Sequence, residues 1–327
     1  MADEIRRANE RSVEAFREFG GVIKHAARHR LWLPDALSLK NQRGRFLKYF
    51  TLPGKWAYDV FFMEQNGIIA RTPRGFPDVR FCDYSPNCYA TAKWLLGNTV
   101  GIQSKFETAV LHNRREFWDG FPYDVYNLDF CGTCFPDEQP PFSDTFQAIT
   151  EIIQRHVRAR YFPFLIFLTM KALPEETNAQ ARLELMENIE ANRADPAFKE
   201  AFAAAIPNTA EFAERNFCDF IVISIPKLLC FLARDRCNVE VRHRAKYRRD
   251  ARDGSGYFIV KFVLRFDARP QRSLRIKNTN YIENILKIVQ LDGIITIDNR
   301  SVTNDIRKSL AKIKAHLEES GYSEAST

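Results

Sequence analysis

The sequence predicts an α/β protein in which a mostly parallel β-sheet carries helices on both faces and closes in an antiparallel hairpin. Three observations carry that expectation. The apolar run YFPFLIFLTM is continuous rather than alternating, as a strand covered on both faces must be. Segments of helical spacing stand between the strand-like runs, so strand and helix alternate along the chain. Near the end, CNVEVRHRAKYR and GYFIVKFVLRFDA are two strand-like runs joined by the Gly-bearing stretch RDARDGSG, the pattern of a hairpin.

Taken in order, residues 1–30 space Ile5, Val13, Phe16, Phe19 and Val22 along one helical face, and residues 1–40 read as an N-terminal helical extension. RFLKYFTLPG is a strand stopped by Pro53 and Gly54, followed by the helical KWAYDVFFMEQNG and a second strand, VRFCDYS. PNCYATAKWLLGN opens on Pro86 and closes on Gly97, the start and stop signals of a helix. A third strand is expected over Phe106 to Leu111, and YDVYNLDF is a fourth. An amphipathic helix from Ser143 to about Arg158 leads into YFPFLIFLTM. The acidic, alanine-rich stretch 173–217 reads as a helical insertion, and a helix from Cys218 to Arg236 precedes the hairpin. The main α/β domain thus covers 41–268, and 269–327 forms a C-terminal helical appendage ending in a helix from about Asn304 to Glu319.

With 48 basic and 41 acidic residues the chain carries a formal charge of +7, a mild preference for anionic partners rather than a polybasic tail. The charged start MADEIRRANERSVEAF has no apolar core of a leader, PFLIFLTM is too short to cross a bilayer, and CDFIVISIPKLLCFLA is interrupted by Asp219, Pro226 and Lys227. A cytoplasmic protein with no membrane partner is expected. Seven cysteines, an odd number in a chain of this size, point to reduced thiols. Cys131 and Cys134 form a CxxC with Cys82 and Cys88 upstream, which makes zinc or thiol chemistry conceivable. The spacing is not that of a zinc ribbon, and no metal is assigned.

The chemistry gathers at strand ends. In an open parallel sheet the ligand sits beyond the carboxyl ends of the strands. Asp129 ends the fourth strand, and a carboxylate there can accept an N–H of an exocyclic amine and turn its lone pair toward an electrophile. Asp83 ends the second strand, where an acid can hold two ribose hydroxyls or, more simply, cap the helix that follows. After the first strand, TLPG offers a single glycine where a cofactor loop is ordinarily glycine-rich. Arg242 to Arg252 holds six Arg or Lys in eleven residues around Tyr247, and RTPRG adds two more on another loop. Such clusters suit phosphate contacts or, equally, a solvated hairpin surface.

YDVYNLDFCGTCFPDEQPPFSDTF resembles the tRNA (guanine-N2)-methyltransferase family, whose fourth-strand motif runs Asp-Leu-Asp-Pro-Phe-Gly-Ser and is followed by Pro-Phe-x-Asp. Leu128, Asp129, Gly132 and Thr133 fit the first part and PPFSD the second. The closing helix and hairpin are also similar to that family and to class I S-adenosylmethionine-dependent methyltransferases at large, in which the last strand inserts antiparallel into the sheet. The resemblance implies a Rossmann-like fold, S-adenosyl-L-methionine as cofactor, and a nucleic-acid base as acceptor, RNA ahead of DNA. It makes Asp129 the catalytic residue and assigns Thr51, Pro53, Gly54, Asp83, Tyr84 and Asn127 to the cofactor. Arg242, Arg244, Lys246, Tyr247, Arg248 and Arg249 fall to the nucleic acid. Asn127 stands where the family has its first acid, and Phe130-Cys131 where it has Pro-Phe. With the poor glycine loop, these departures motivate an alternative: a catalytically inactive recognition or scaffold subunit with a protein partner, for example in a bacterial anti-phage defence complex.

Overall fold

The computed structural model describes residues 21–97, 100–130, 132–133, 144–250, 256–268 and 274–319. In chain order they form α1 (Val22–Ala27), a π-helical turn (Arg28–Trp32), α2 (Leu33–Arg43), β1 (Tyr49–Thr51), α3 (Tyr58–Gln65), β2 (Val79–Asp83), α4 (Pro86–Leu95) and β3 (Gly101–Gln103). Next come α5 (Phe106–Leu111), α6 (Arg115–Trp118), β4 (Val125–Asp129), α7 (Asp144–Ala159), β5 (Phe164–Ala172), α8 (Ala179–Arg193), α9 (Lys199–Ala205), α10 (Thr209–Arg215) and α11 (Phe217–Ala233). The chain closes with β6 (Asn238–Asp250), β7 (Gly256–Asp267), α12 (Leu274–Val289), β8 (Ile294–Thr296) and α13 (Asn304–Glu319). The architecture is α/β, as expected. Contacts divide the chain into two compact units, one of residues 1–105 with 297–327, the other of 106–296.

In the first unit β1, β2 and β3 are parallel with β2 in the middle, Tyr49 facing Val79 and Phe81 facing Gly101. A Cβ on Gly101 would stand 2.4 Å from the Phe81 ring, so the close approach of β3 to β2 requires glycine there. The helical run at the start continues to Arg43 and stops at Gly44 in the left-handed region, φ 63°. Residues 1–20 of the expected N-terminal helix lie outside the described residues. The third strand corrects the sequence reading. Phe106 to Leu111 is helix α5, with Phe106, Ala109 and Val110 buried at helical spacing, and the strand lies just upstream at Gly101–Gln103. A six-residue apolar run satisfies either period, and only its packing partners decide.

In the second unit the sheet order is β4, β5, β7, β6, β8, with β4 parallel to β5, β7 antiparallel to both neighbours, and β8 parallel to β6. The sheet is therefore mixed. β8, within the segment expected to be helical, adds a short edge strand. β5 is buried along nearly its whole length, which is why its sequence lacks alternation; each of its Leu, Ile and Phe side chains contributes about 2 kcal/mol of burial. α7 buries Phe146, Ile149, Ile152, Ile153 and His156 on one stripe. His156 is held on both ring nitrogens, 2.8 Å from the Tyr126 hydroxyl and 2.9 Å from the Tyr161 carbonyl, and stacks 3.8 Å from Phe164. The expected insertion becomes α8, α9 and α10. α11 is apolar nearly all round, as a helix buried on every side must be, and carries the fully buried Lys227. Among the described residues no single helix is long and apolar enough to cross a membrane.

Candidate functional site

In the second unit, strand pairing sets Asp129 beside Thr169 of β5, and Thr169 beside Lys261 of β7. Directly paired residues project to the same sheet face, so carboxylate, hydroxyl and ammonium form one lateral row. Lys261 is fully buried and its Nζ donates to Thr169 Oγ1 at 2.9 Å. Asn127, two residues earlier on β4 and on the same face, is also fully buried. Asp129 is only partly buried, because the strand ends there.

Past Asp129 the backbone stays tied to β5. The Phe130 N–H donates to the Thr169 carbonyl at 3.0 Å, and the Lys171 N–H donates to the Gly132 carbonyl at 3.0 Å. Among the described residues, nothing lies within 4 Å of a Cβ built on Gly132. Thr133 Oγ1 lies 3.4 Å from Thr177 Oγ1. Cys131, Cys134 and the Pro140 to Ser143 part of PPFSD lie outside the described residues; Asp144 opens α7. Among the described residues, no group of three or more His, Cys, Asp or Glu side chains is placed to hold a metal.

The first unit holds the other predicted cofactor residues. Thr51, at the end of β1, is fully buried and donates to Asp59 Oδ2 at 2.6 Å, an oxygen that also accepts from the Tyr49 hydroxyl at 2.8 Å. Its hydroxyl therefore locks β1 to α3. Pro53 and Gly54 follow, partly exposed, with Gly54 at φ 62°. Asp83, at the end of β2, accepts the Ser85 N–H at 2.9 Å, while Ser85 caps α4 by accepting the Cys88 N–H at 3.4 Å. Capping thus falls to Ser85. Burial pushes the Asp83 carboxyl above its usual range, and the Ser85 N–H pulls the other way. Tyr84 is 68% exposed. Lys55, just past the TLPG loop, is pushed down by burial, while the nearby Cys88 thiol acts in the opposite sense.

The six predicted nucleic-acid residues do not share one environment. Arg244 is buried and donates to the carbonyls of Ile288, Lys287 and Gln290, closing the C-terminal end of α12; burial lowers its pKa to about 10. Lys246 pairs with Asp219 of α11. Tyr247 is buried against its neighbours and presents no open ring to a base. Arg242, next to a bulge in β6, is exposed and bonds Glu240 at 2.7 Å. Arg248 is exposed and Arg249 partly so.

Thr169, Lys171, Tyr257 and Lys261 were not singled out by the sequence. One signal was present: a lysine in the middle of the apolar run YFIVKFVLRF is an unusual core residue, and its burial needs a polar partner. Nothing in the sequence says that the partner is Thr169, which is 92 residues away.

Compared with known proteins, the chain is similar over residues 112–253 to the family described as PP_RS20740-like. The matched stretch, less than half the chain, runs from just before α6 through the end of β6. No curated protein matches the chain.

Proposed function

We propose that this protein is an S-adenosylmethionine-dependent methyltransferase acting on a nucleic-acid base, RNA ahead of DNA. The observation that carries the reading is Asp129 at the carboxyl end of β4, on one sheet face with Thr169 and the buried Lys261 ammonium. The insertion of β7 between β5 and β6, antiparallel to both, supports it as well, since the methyltransferase resemblance leads to that arrangement.

The residues present fit the cofactor at Asp83. Its half-buried carboxylate has one backbone N–H at 2.9 Å, and burial has raised its pKa. Two ribose hydroxyls are the donors that such an acceptor lacks. Thr51 would shape the adjoining loop through Asp59 rather than touch the ligand, leaving Pro53 and Gly54 as its nearest backbone. The cofactor, when bound, supplies an electrophilic methyl on a sulfonium. Asp129 accepts an N–H of the exocyclic amine and orients the lone pair, so most of the catalysis is positioning. Lys261, through Thr169, would hold in place the row of side chains beside Asp129.

Isothermal titration with S-adenosylmethionine tests the reading. Binding in the micromolar range is expected, lost in Asp83→Ala and kept in Asp129→Asn, with the latter unable to transfer a methyl group to RNA. No heat at millimolar ligand overturns it. A second reading, an inactive recognition subunit, is favoured by the single glycine of TLPG and the commitment of the Thr51 hydroxyl to Asp59. A stoichiometric protein partner and full biological function in Asp129→Ala would establish that reading instead.

A further inference from the structure

We infer that Lys171, Tyr257 and Arg249 form a phosphate clamp for single-stranded RNA on the same sheet face as Asp129, an inference that rests on the nucleic-acid reading above. The register fixes the arrangement. Lys171 follows Thr169 by two residues on β5 and is paired with Ile259, while Tyr257, two residues from Ile259 on β7, is paired with Arg249 on β6. All three side chains thus share the face of Asp129. The Lys171 Nζ lies 5.3 Å from the centre of the Tyr257 ring, and the Arg249 guanidinium carbon 5.9 Å from it. One aromatic ring therefore has two cations beside it. Contact with the ring draws each cation out of free rotation and reduces the entropy lost when a ligand arrives.

The position suits a polynucleotide. Lys171 is roughly 7 Å along the strand from the row of Asp129, at two residues of about 3.4 Å each, and its own N–H pins the turn at Gly132. A base held by Asp129 leaves its sugar and phosphate on the outer side, toward the hairpin end where the cations stand. The ammonium and the guanidinium are donors only, and the aryl hydroxyl beside them can donate as well, a set that suits the acceptor oxygens of a phosphodiester. Glu176 opposes this at Lys171: it lies 3.3 Å from the Nζ, with 42% of its side chain exposed. Such an exposed pair is weak, and a phosphate displaces it.

The experiment is fluorescence anisotropy of a labelled single-stranded RNA against the full-length protein across a salt series. Lys171→Ala and Arg249→Ala are each expected to weaken binding about five- to tenfold at low salt and to lower the slope of log K against log salt by about 0.7, the signature of one lost phosphate contact. Lys171→Arg restores both, which separates loss of charge from loss of fold. Glu176→Gln binds severalfold tighter. An unchanged slope in Lys171→Ala, or no RNA binding by the parent protein, overturns the clamp. If S-adenosylmethionine still binds in that case, the methyltransferase reading survives; a reduced slope without cofactor binding leaves the clamp standing alone.

Discussion

The Lys261 ammonium reaches the Thr169 hydroxyl at 2.9 Å across the β5–β7 pairing, and neither side chain is more than 2% exposed. A buried ammonium that loses an acceptor is left with an unmet donor, which costs more than the bond contributes when both partners are present. Thr169→Val is therefore expected to destabilise the protein by about 1–3 kcal/mol. Adding Lys261→Met should cost less than the two single changes summed, because the orphaned donor disappears. Urea unfolding of the four proteins measures this, and strict additivity would refute the coupling.

Arg244 and Arg249 lie five residues apart on β6 and are expected to behave oppositely. Arg244→Ala removes three bonds to the end of α12 and should lower stability by about 2–4 kcal/mol, with the salt slope of RNA binding unchanged. Arg249→Ala should change the slope and leave the unfolding midpoint nearly where it was. A matched pair of denaturation and binding titrations distinguishes them.

Lys227 is fully buried in α11, its Nζ bonded to the backbone and side-chain oxygens of Asn188, and burial lowers its pKa from 10.5 to about 7. Below pH 7 the amine is protonated both folded and unfolded, and the full cost of burying the charge weighs on the fold. Between 7 and 10.5 the unfolded chain alone holds the proton, so this site's contribution to stability rises with pH. Lys227→Met is expected to stabilise by about 2 kcal/mol at pH 6 and by progressively less toward pH 10. A constant difference across that range would contradict the assignment.

His25 is fully buried, with Nε2 3.2 Å from Ser309 Oγ, and burial, reinforced by Arg28 and His29, lowers its pKa to about 2. The folded protein keeps this imidazole neutral, whereas the unfolded chain protonates it near 6.5. Its contribution is intact above pH 6.5 and is lost as the pH falls toward 2, by about 1.4 kcal/mol per pH unit. His25→Gln retains a partner for Ser309 and should flatten the acid limb of the stability profile. A parallel acid limb in parent and variant would argue against it.

Much of the fold follows from local pattern. The continuous apolar run of β5, the Pro86 and Gly97 signals around α4, the stripe of α7 and the hairpin of β6 and β7 are each written in a few neighbouring residues, where period and turn chemistry act. Phe106 to Leu111 was illegible for the opposite reason, since six apolar residues suit either helix or strand. The segment after the hairpin concealed β8, because three residues of Ile and Thr become a strand only when an edge such as β6 is available to pair with them.

The candidate site divides in the same way. That Asp129 and Asp83 end strands was evident from the chain alone, since polarity must return where a buried strand stops. The roles of the basic residues were not, because a run of Arg and Lys alternates between two faces once it becomes a strand. Pairing then sends Arg244 to the end of α12 and Arg249 to the side of Tyr257. Nor could residue order bring Lys261 to Thr169. By itself the sequence determined the elements and the acids at strand ends, through local spacing and burial. The tertiary structure alone decided which charges meet, because register joins residues far apart in the chain and assigns each side chain its face.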